Sequence, residues 1–262
     1  TFDYSYDDNA TVDNVRNLIK PETTLVICTH ASNVFGFRFP IERICALCHA
    51  YGILFCVDSA QSAGVFDIDV GTNQYDFVCM SGHKSLYGPM GTGVLILNNR
   101  NLKPLLYGGT GTESVKKSQP EGLPEKFESG TQNMNGISGL KAGVDFVKNR
   151  GIKNIYNHEY KLAKRLFNGL ANNRKVITYN KSFDYGKVAP VVSFNIDGVY
   201  SEDLVAKLNK YGIMTRGGLH CSPLAHTTMN TIENGTVRVV PGAFNTINDI
   251  NYLLNVIRKL TI

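Results

Sequence analysis

Four near-continuous apolar runs stand in the first hundred residues, at 24–29, 53–58, 76–81 and 93–98. Their side chains do not alternate strictly between polar and apolar, the pattern expected of strands buried on both faces. Between the first two, residues 40–52 carry a helical spacing of apolar positions. Pro40 stands near the start and Gly52 just past the end, the punctuation of a helix. Strands alternating with helices predict an α/β fold with a mainly parallel sheet and right-handed crossovers. The link through Gly91 and Gly93 to the fourth run is short, so that strand is expected to run antiparallel.

The second half changes character. Residues 107–130 are rich in Gly, Thr, Ser, Pro and Lys and predict a long surface loop, of a length that often carries function. Helical spacing returns at 137–150 and 152–172. From Val188 the pattern becomes α+β. It predicts a strand at 191–196 and a helix at 201–211, capped by Ser201 and stopped by Gly212. A strand at 236–240 follows. Thr246-Ile247-Asn248-Asp249 opens a final helix to Lys259 with the pattern of a capping box. The expected division is a large domain over 1–150 and a smaller C-terminal domain over 151–262, which begins with the connecting helix.

Composition narrows the classes. The chain has 262 residues, 43% hydrophobic and 19% charged, values of a globular protein. No apolar run approaches the ~20 residues of a membrane helix. The net charge of +5 is scattered, which predicts no nucleic-acid partner. Cys28, Cys56 and Cys79 lie in the apolar runs and are expected in the core. Cys45 and Cys48 form one Cys-x-x-Cys inside a helical pattern, a weak metal or redox signal. No His, Cys and acid cluster has ligand spacing, so no metal is expected. Such cysteine usage predicts a reduced, cytoplasmic chain.

The chemistry gathers at strand ends. Asp58 closes the second run, with Gln61 three residues on. Ser81-Gly82-His83-Lys84 closes the third, and Asn33 follows the first. Ligands of parallel sheets bind outside the C-terminal strand ends. An acid there and a lysine after the next strand suit pyridoxal phosphate. The amine bonds the aldehyde and the acid keeps the ring nitrogen protonated. Ser81 and His83 offer phosphate donors beside Lys84. Cys221 lies in a Gly-Gly-Leu-His-Cys-Ser-Pro loop, unlike the core cysteines, with His220 or the cofactor region as candidates for activating it. Arg238 interrupts an apolar run, and arginine matches a carboxylate with two parallel hydrogen bonds. For Arg216 a structural and a substrate role are equally open. Taken singly, each residue has a plain reading: a solvated lysine, a turn acid, an idle thiol, an exposed arginine.

Six stretches carry a resemblance, in order along the chain: Thr29-His30-Ala31-Ser32-Asn33-Val34-Phe35-Gly36, Val57-Asp58-Ser59-Ala60-Gln61, Ser81-Gly82-His83-Lys84, Phe127-Glu128-Ser129-Gly130-Thr131, Arg216-Gly217-Gly218-Leu219-His220-Cys221 and Thr236-Val237-Arg238. Through them the chain resembles class V aminotransferase-type enzymes of the cysteine desulfurase and selenocysteine lyase group. The resemblance implies a pyridoxal phosphate-dependent transferase fold of type I, with helices on both faces of the sheet and a smaller C-terminal α+β domain. It implies Lys84 as the Schiff-base lysine and Asp58 on the pyridinium nitrogen. Gln61 and Asn33 would face the phenolic oxygen, and Ser81 and His83 the phosphate. Thr131 would reach the phosphate of the partner subunit in a homodimer. Arg238, with Arg216 as a second candidate, would take the carboxylate of L-cysteine or L-selenocysteine. Cys221 would carry the sulfur as a persulfide toward an acceptor protein, as in iron–sulfur cluster assembly. Transamination or lyase chemistry on another amino acid, and an inactive fragment or sulfur-relay scaffold, stay as alternatives. The chain departs from the His-His-Cys of well-known relatives, having Leu219-His220-Cys221. The resemblance also implies an N-terminally incomplete sheet, with unpaired edges and exposed apolar surface.

Overall fold

A computed structural model describes residues 1–98, 102–113 and 115–261. In chain order the first half contains α1 (Asp8–Arg16), β1 (Leu25–Thr29), α2 (Ile41–Ala50), β2 (Leu54–Asp58), α3 (Val70–Asn73), β3 (Phe77–Ser81), β4 (Gly93–Leu97) and α4 (Met134–Arg150). The second contains α5 (Ile152–Ala171), β5 (Val176–Thr178), β6 (Val192–Ile196), α6 (Ser201–Asn209), α7 (Pro223–Thr228), β7 (Val237–Val239) and α8 (Ile247–Leu260).

The first sheet has the order β1-β2-β3-β4. Its first three strands are parallel and β4 is antiparallel to β3, as the short link predicts. Thr29 pairs with Asp58, and Asp58 with Cys79, so the C-terminal ends of the parallel strands lie side by side. Helix α2 turns Ile41, Ile44, Cys45 and Cys48 inward, the spacing of one helical face. They pack with Val12 and Val15 of α1 against Cys28, Phe55, Val57 and Val78. Burial pushes the thiols of Cys45 and Cys48 up to about 11, so they pack as core residues.

The other face differs from expectation. Register places Leu25, Ile27, Cys56, Cys79 and Leu95 on it, because successive side chains point to opposite faces. Ile27 is 64% and Leu95 53% exposed, and Cys79 is exposed rather than core. Among the described residues, helices cover this sheet on one face, and β1 and β4 are not buried on both sides.

The second sheet, β5-β6-β7, is antiparallel throughout. All five residues of β6 are buried. Leu162, Leu166 and Leu170 of α5 join Leu253, Leu254 and Ile257 of α8 over Phe194. Ala31, Val65 and Phe66 enter the same core from the first sheet's loops. The capping box of α8 is present. Ser201, by contrast, is the first residue of α6, not its cap, and its hydroxyl accepts the Gly218 N–H at 3.1 Å. Helix α4 starts earlier than its apolar spacing suggests, because the Asn133 side chain accepts the Gly136 N–H. The elements α7 and β5 are too short to show a period. The described residues of the expected loop, 107–113 and 115–130, contain no helix or strand and are pinned by buried Gln119, whose amide donates to the carbonyls of Glu125 and Glu128. Among the described residues no helix is long and apolar enough to cross a membrane.

Candidate active site

Lys84 rides on a tight turn after β3. The Tyr87 N–H donates to the Lys84 carbonyl at 2.9 Å, and the Gly88 N–H to that of Gly82 at 2.8 Å. Two glycines wedge the turn. A Cβ on Gly143 would lie 2.2 Å from the Leu86 carbonyl oxygen, and one on Gly64 2.1 Å from that of Ser85. Tyr87 takes a left-handed φ of +56°, which a residue with a Cβ holds only when its surroundings enforce it. Its ring packs 4.9 Å from that of Phe146. Its phenol donates to Glu159 Oε1 at 3.3 Å and accepts the Ala243 N–H at 3.4 Å. Glu159 is 3% exposed, and burial pushes its carboxyl up to about 7 against the opposing effects of Tyr87 and Arg150. Nothing in the sequence pattern singled out Tyr87 or Glu159.

The Lys84 side chain is half-buried. Burial lowers its pKa, Asp58 and Cys221 oppose the shift, and Arg238 adds to it. The four side chains therefore share one electrostatic environment. Asp58 Oδ1 accepts the Ala60 N–H at 2.9 Å, which fixes the carboxylate at the strand end. Ser81 Oγ and His83 Nδ1 lie 3.4 Å apart. Gln61 makes no side-chain hydrogen bond among the described residues and sits in the turn after β2. Thr131 is exposed ahead of α4 and makes no hydrogen bond to the other candidate residues.

The second half brings in a thiol and two guanidiniums. Arg216 and Arg238 face each other across an isolated bridge, with the Arg238 N–H donating to the Arg216 carbonyl at 2.8 Å. Burial and the neighbouring Arg216 charge both lower the pKa of Arg238. Among the described residues neither arginine has a carboxylate partner. Two unpaired guanidiniums, one of them part-buried, suit an anionic ligand. Arg216 Nη2 lies 3.9 Å from Cys221 Sγ. Of the two candidates for activating Cys221, His220 is engaged elsewhere. Its Nε2 meets the Thr236 carbonyl at 2.9 Å, and burial lowers it to about 4, so the ring is neutral at pH 7. The cation beside the sulfur is Arg216.

Asn33 joins the halves. Its Nδ2 donates to the His220 carbonyl at 2.7 Å, its Oδ1 accepts the Ser222 hydroxyl at 2.7 Å, and its own carbonyl accepts from Arg238 Nη1 at 2.8 Å. An amide of this kind keeps one N–H and one lone pair for a further partner. The expected seat at a cofactor ring thus has a competing engagement on the Cys221 loop. Among the described residues no group of three or more His, Cys, Asp or Glu side chains could hold a metal.

A mainly parallel sheet with an acid at one strand end and a lysine after the neighbouring one, joined through Asn33 to a loop thiol and to an arginine of an antiparallel sheet, defines a two-sheet α/β scaffold. The chain belongs to the class V aminotransferase family, whose profile matches residues 3–253. It is 36% identical over 245 residues to a probable cysteine desulfurase of Pyrococcus abyssi, covering 90% of this chain and 59% of that one. It is 34% identical over 229 residues to a cysteine desulfurase of Haloferax volcanii, covering 84% and 53%. Among solved structures, the apo cysteine desulfurase of Thermococcus onnurineus NA1 superposes with a TM-score of 0.86 at 33% identity, covering 95% of this chain and 62% of that one. The S-sulfonic acid form of the cysteine desulfurase CsdA of Escherichia coli gives 0.86 at 29%, covering 96% and 63%. The chain therefore spans less than two thirds of the length of these relatives.

Proposed function

We propose that this chain carries the lysine, thiol and arginine machinery of a pyridoxal phosphate-dependent cysteine desulfurase, which turns L-cysteine into L-alanine and leaves the sulfur on Cys221. The carrying observation is the meeting of the two halves: Asn33, just after β1, binds the Cys221 loop and Arg238, while Asp58 closes β2 and the Lys84 turn follows the adjacent end of β3. The residues present fit the cofactor: a half-buried amine, a fixed acid and the Ser81–His83 donor pair. Bound to Lys84, with Asp58, Gln61, Ser81 and His83 around it, pyridoxal phosphate would supply the electron sink for a carbanion next to the amino group.

The chain's own residues do the rest. Arg238, with Arg216 beside it, docks the substrate carboxylate. The Lys84 amine, less basic than an ordinary lysine because it is half-buried, moves the proton at Cα. The Cys221 thiolate attacks the substrate sulfur. A sulfur–sulfur bond forms and the carbon–sulfur bond breaks. Its electron pair goes to Cβ, which takes a proton, so the products are alanine and a Cys221 persulfide. A reductant or a sulfur-acceptor protein then removes the sulfur. L-selenocysteine would follow the same route.

The same reading divides the chain into a large domain over 1–150 and a small one over 151–262. It pairs two copies through the Thr131 segment in a homodimer and places the protein in the cytoplasm. The test is alanine release from L-cysteine by cofactor-supplemented protein with a thiol reductant. Cys221→Ser should abolish it while keeping the cofactor's visible absorbance. Full release by that variant would reject Cys221 as the acceptor. An unaltered spectrum in Lys84→Ala would reject the cofactor reading.

A further inference from the structure

The Cys221 loop is held in a conformation that its residues do not prefer. His220 and Cys221 have φ of +51° and +61°, two successive residues in the left-handed region with a Cβ on each. Such residues persist only where several contacts over-determine them. The Ser222 N–H closes a turn on the Leu219 carbonyl at 2.9 Å, and the His220 ring is pinned to Thr236. Those contacts lie within the second half. Among the described residues, one side chain of the first half also grips the loop. Asn33 holds the His220 carbonyl on one side of the thiol and the Ser222 hydroxyl on the other. Arg238, bonded to the Asn33 carbonyl, ties this grip to the guanidinium pair.

We propose that Asn33 is a positioning residue for the Cys221 thiol, holding its loop from both flanks so that the sulfur stays beside Arg216. The proposal rests on the reading of Cys221 as the sulfur acceptor. It adds a task for Asn33 beyond any contact with a cofactor ring, and it makes the first half of the chain responsible for the geometry of a nucleophile carried by the second.

The test uses the cofactor-free chain, so it stands apart from turnover. Iodoacetamide alkylation of Cys221 at pH 7 is followed by peptide mass spectrometry, with amide hydrogen exchange over residues 219–222 in parallel. Asn33→Ala should slow alkylation by about threefold or more, because the exposed sulfur is no longer held in one place beside the Arg216 guanidinium. It should speed exchange by about tenfold or more, because both side-chain bonds to the loop are lost. Ser222→Ala removes one of the two bonds and should give a smaller change of the same sign. It also serves if Asn33→Ala does not fold. Asn180→Ala, which removes a buried bond between the same halves to the Phe35 carbonyl, should move neither readout. An unchanged or faster alkylation in Asn33→Ala would overturn the proposal. So would unchanged exchange, or equal effects from Asn180→Ala. Retained alanine release by Cys221→Ser would sink the desulfurase reading and leave these readouts standing.

Discussion

The two sheets of this chain are stabilised unequally. The antiparallel sheet buries all of β6 between the leucines of α5 and α8 and the rest of its own core. The parallel sheet is packed on one face by α1 and α2, and its other face leaves Ile27 and Leu95 more than half exposed. Hydrophobic stabilisation scales with apolar area removed from water, so the second half should hold most of the fold's free energy per residue. The candidate site spans both. Its arginines stand at the edge of the better-packed sheet with the thiol in the loop before α7, and its acid and lysine at and after strand ends of the half-covered one. That division makes Asn33 and Tyr87, which reach from one half to the other, the points where stability becomes site geometry.

The sharpest way to break this comparison is to cut the core of the second sheet. Phe194 is fully buried there. Phe194→Ala should cost about 3–5 kcal/mol, read by urea denaturation. A loss below about 1 kcal/mol would mean that the second core does not dominate. Next comes Glu159, whose carboxyl sits at about 7 in the fold against an ordinary 4.5. A raised folded pKa gives stability that is full below the unfolded value and lost as pH rises through the folded one. The wild type should therefore weaken between pH 4.5 and pH 7. Glu159→Gln, which keeps an acceptor for Tyr87, should relieve a cost of up to roughly 3 kcal/mol at pH 8 and little at pH 4. Equal stabilisation at both pH values would refute the buried acid as its cause. Gly143→Ala tests the lysine turn. Alanine in an exposed helix gains about 1 kcal/mol over glycine. Here the added methyl meets the Leu86 carbonyl at 2.2 Å, so the sign should reverse to a loss of about 1–3 kcal/mol.

Much of the first sheet and the outline of the site were legible in the chain. Apolar runs ending in Asp58 and Ser81 place the acid and lysine segments at neighbouring strand ends, because parallel topology puts those ends side by side. What escaped was carried by long-range contacts. Asn33 and His220 are 187 residues apart, and Tyr87 and Glu159 are 72 apart. No period or cap signals such pairs. Cys79 shows a different limit. An apolar run reports that a strand is hydrophobic, but not which face the rest of the fold covers. Sequence left His220 and the cofactor region as alternative neighbours for Cys221, and only the fold shows that burial keeps the His220 ring neutral while Thr236 engages it.

The smallest expected effect probes the bare face itself. Ile27 stands 64% exposed on β1, an edge of the sheet. Removing its side chain should cost little, because little of its area leaves water on folding. Ile27→Lys should stay within about 0.5 kcal/mol of wild type in urea denaturation. The same change puts a charge on an apolar edge, the usual device against edge-to-edge pairing. Light scattering should therefore show less self-association at equal concentration. A destabilisation above about 2 kcal/mol would mean that Ile27 is packed in solution against something. The contrast between a covered and an uncovered sheet would then be one of occupancy, with the parallel half as firmly cored as its neighbour once that face is filled.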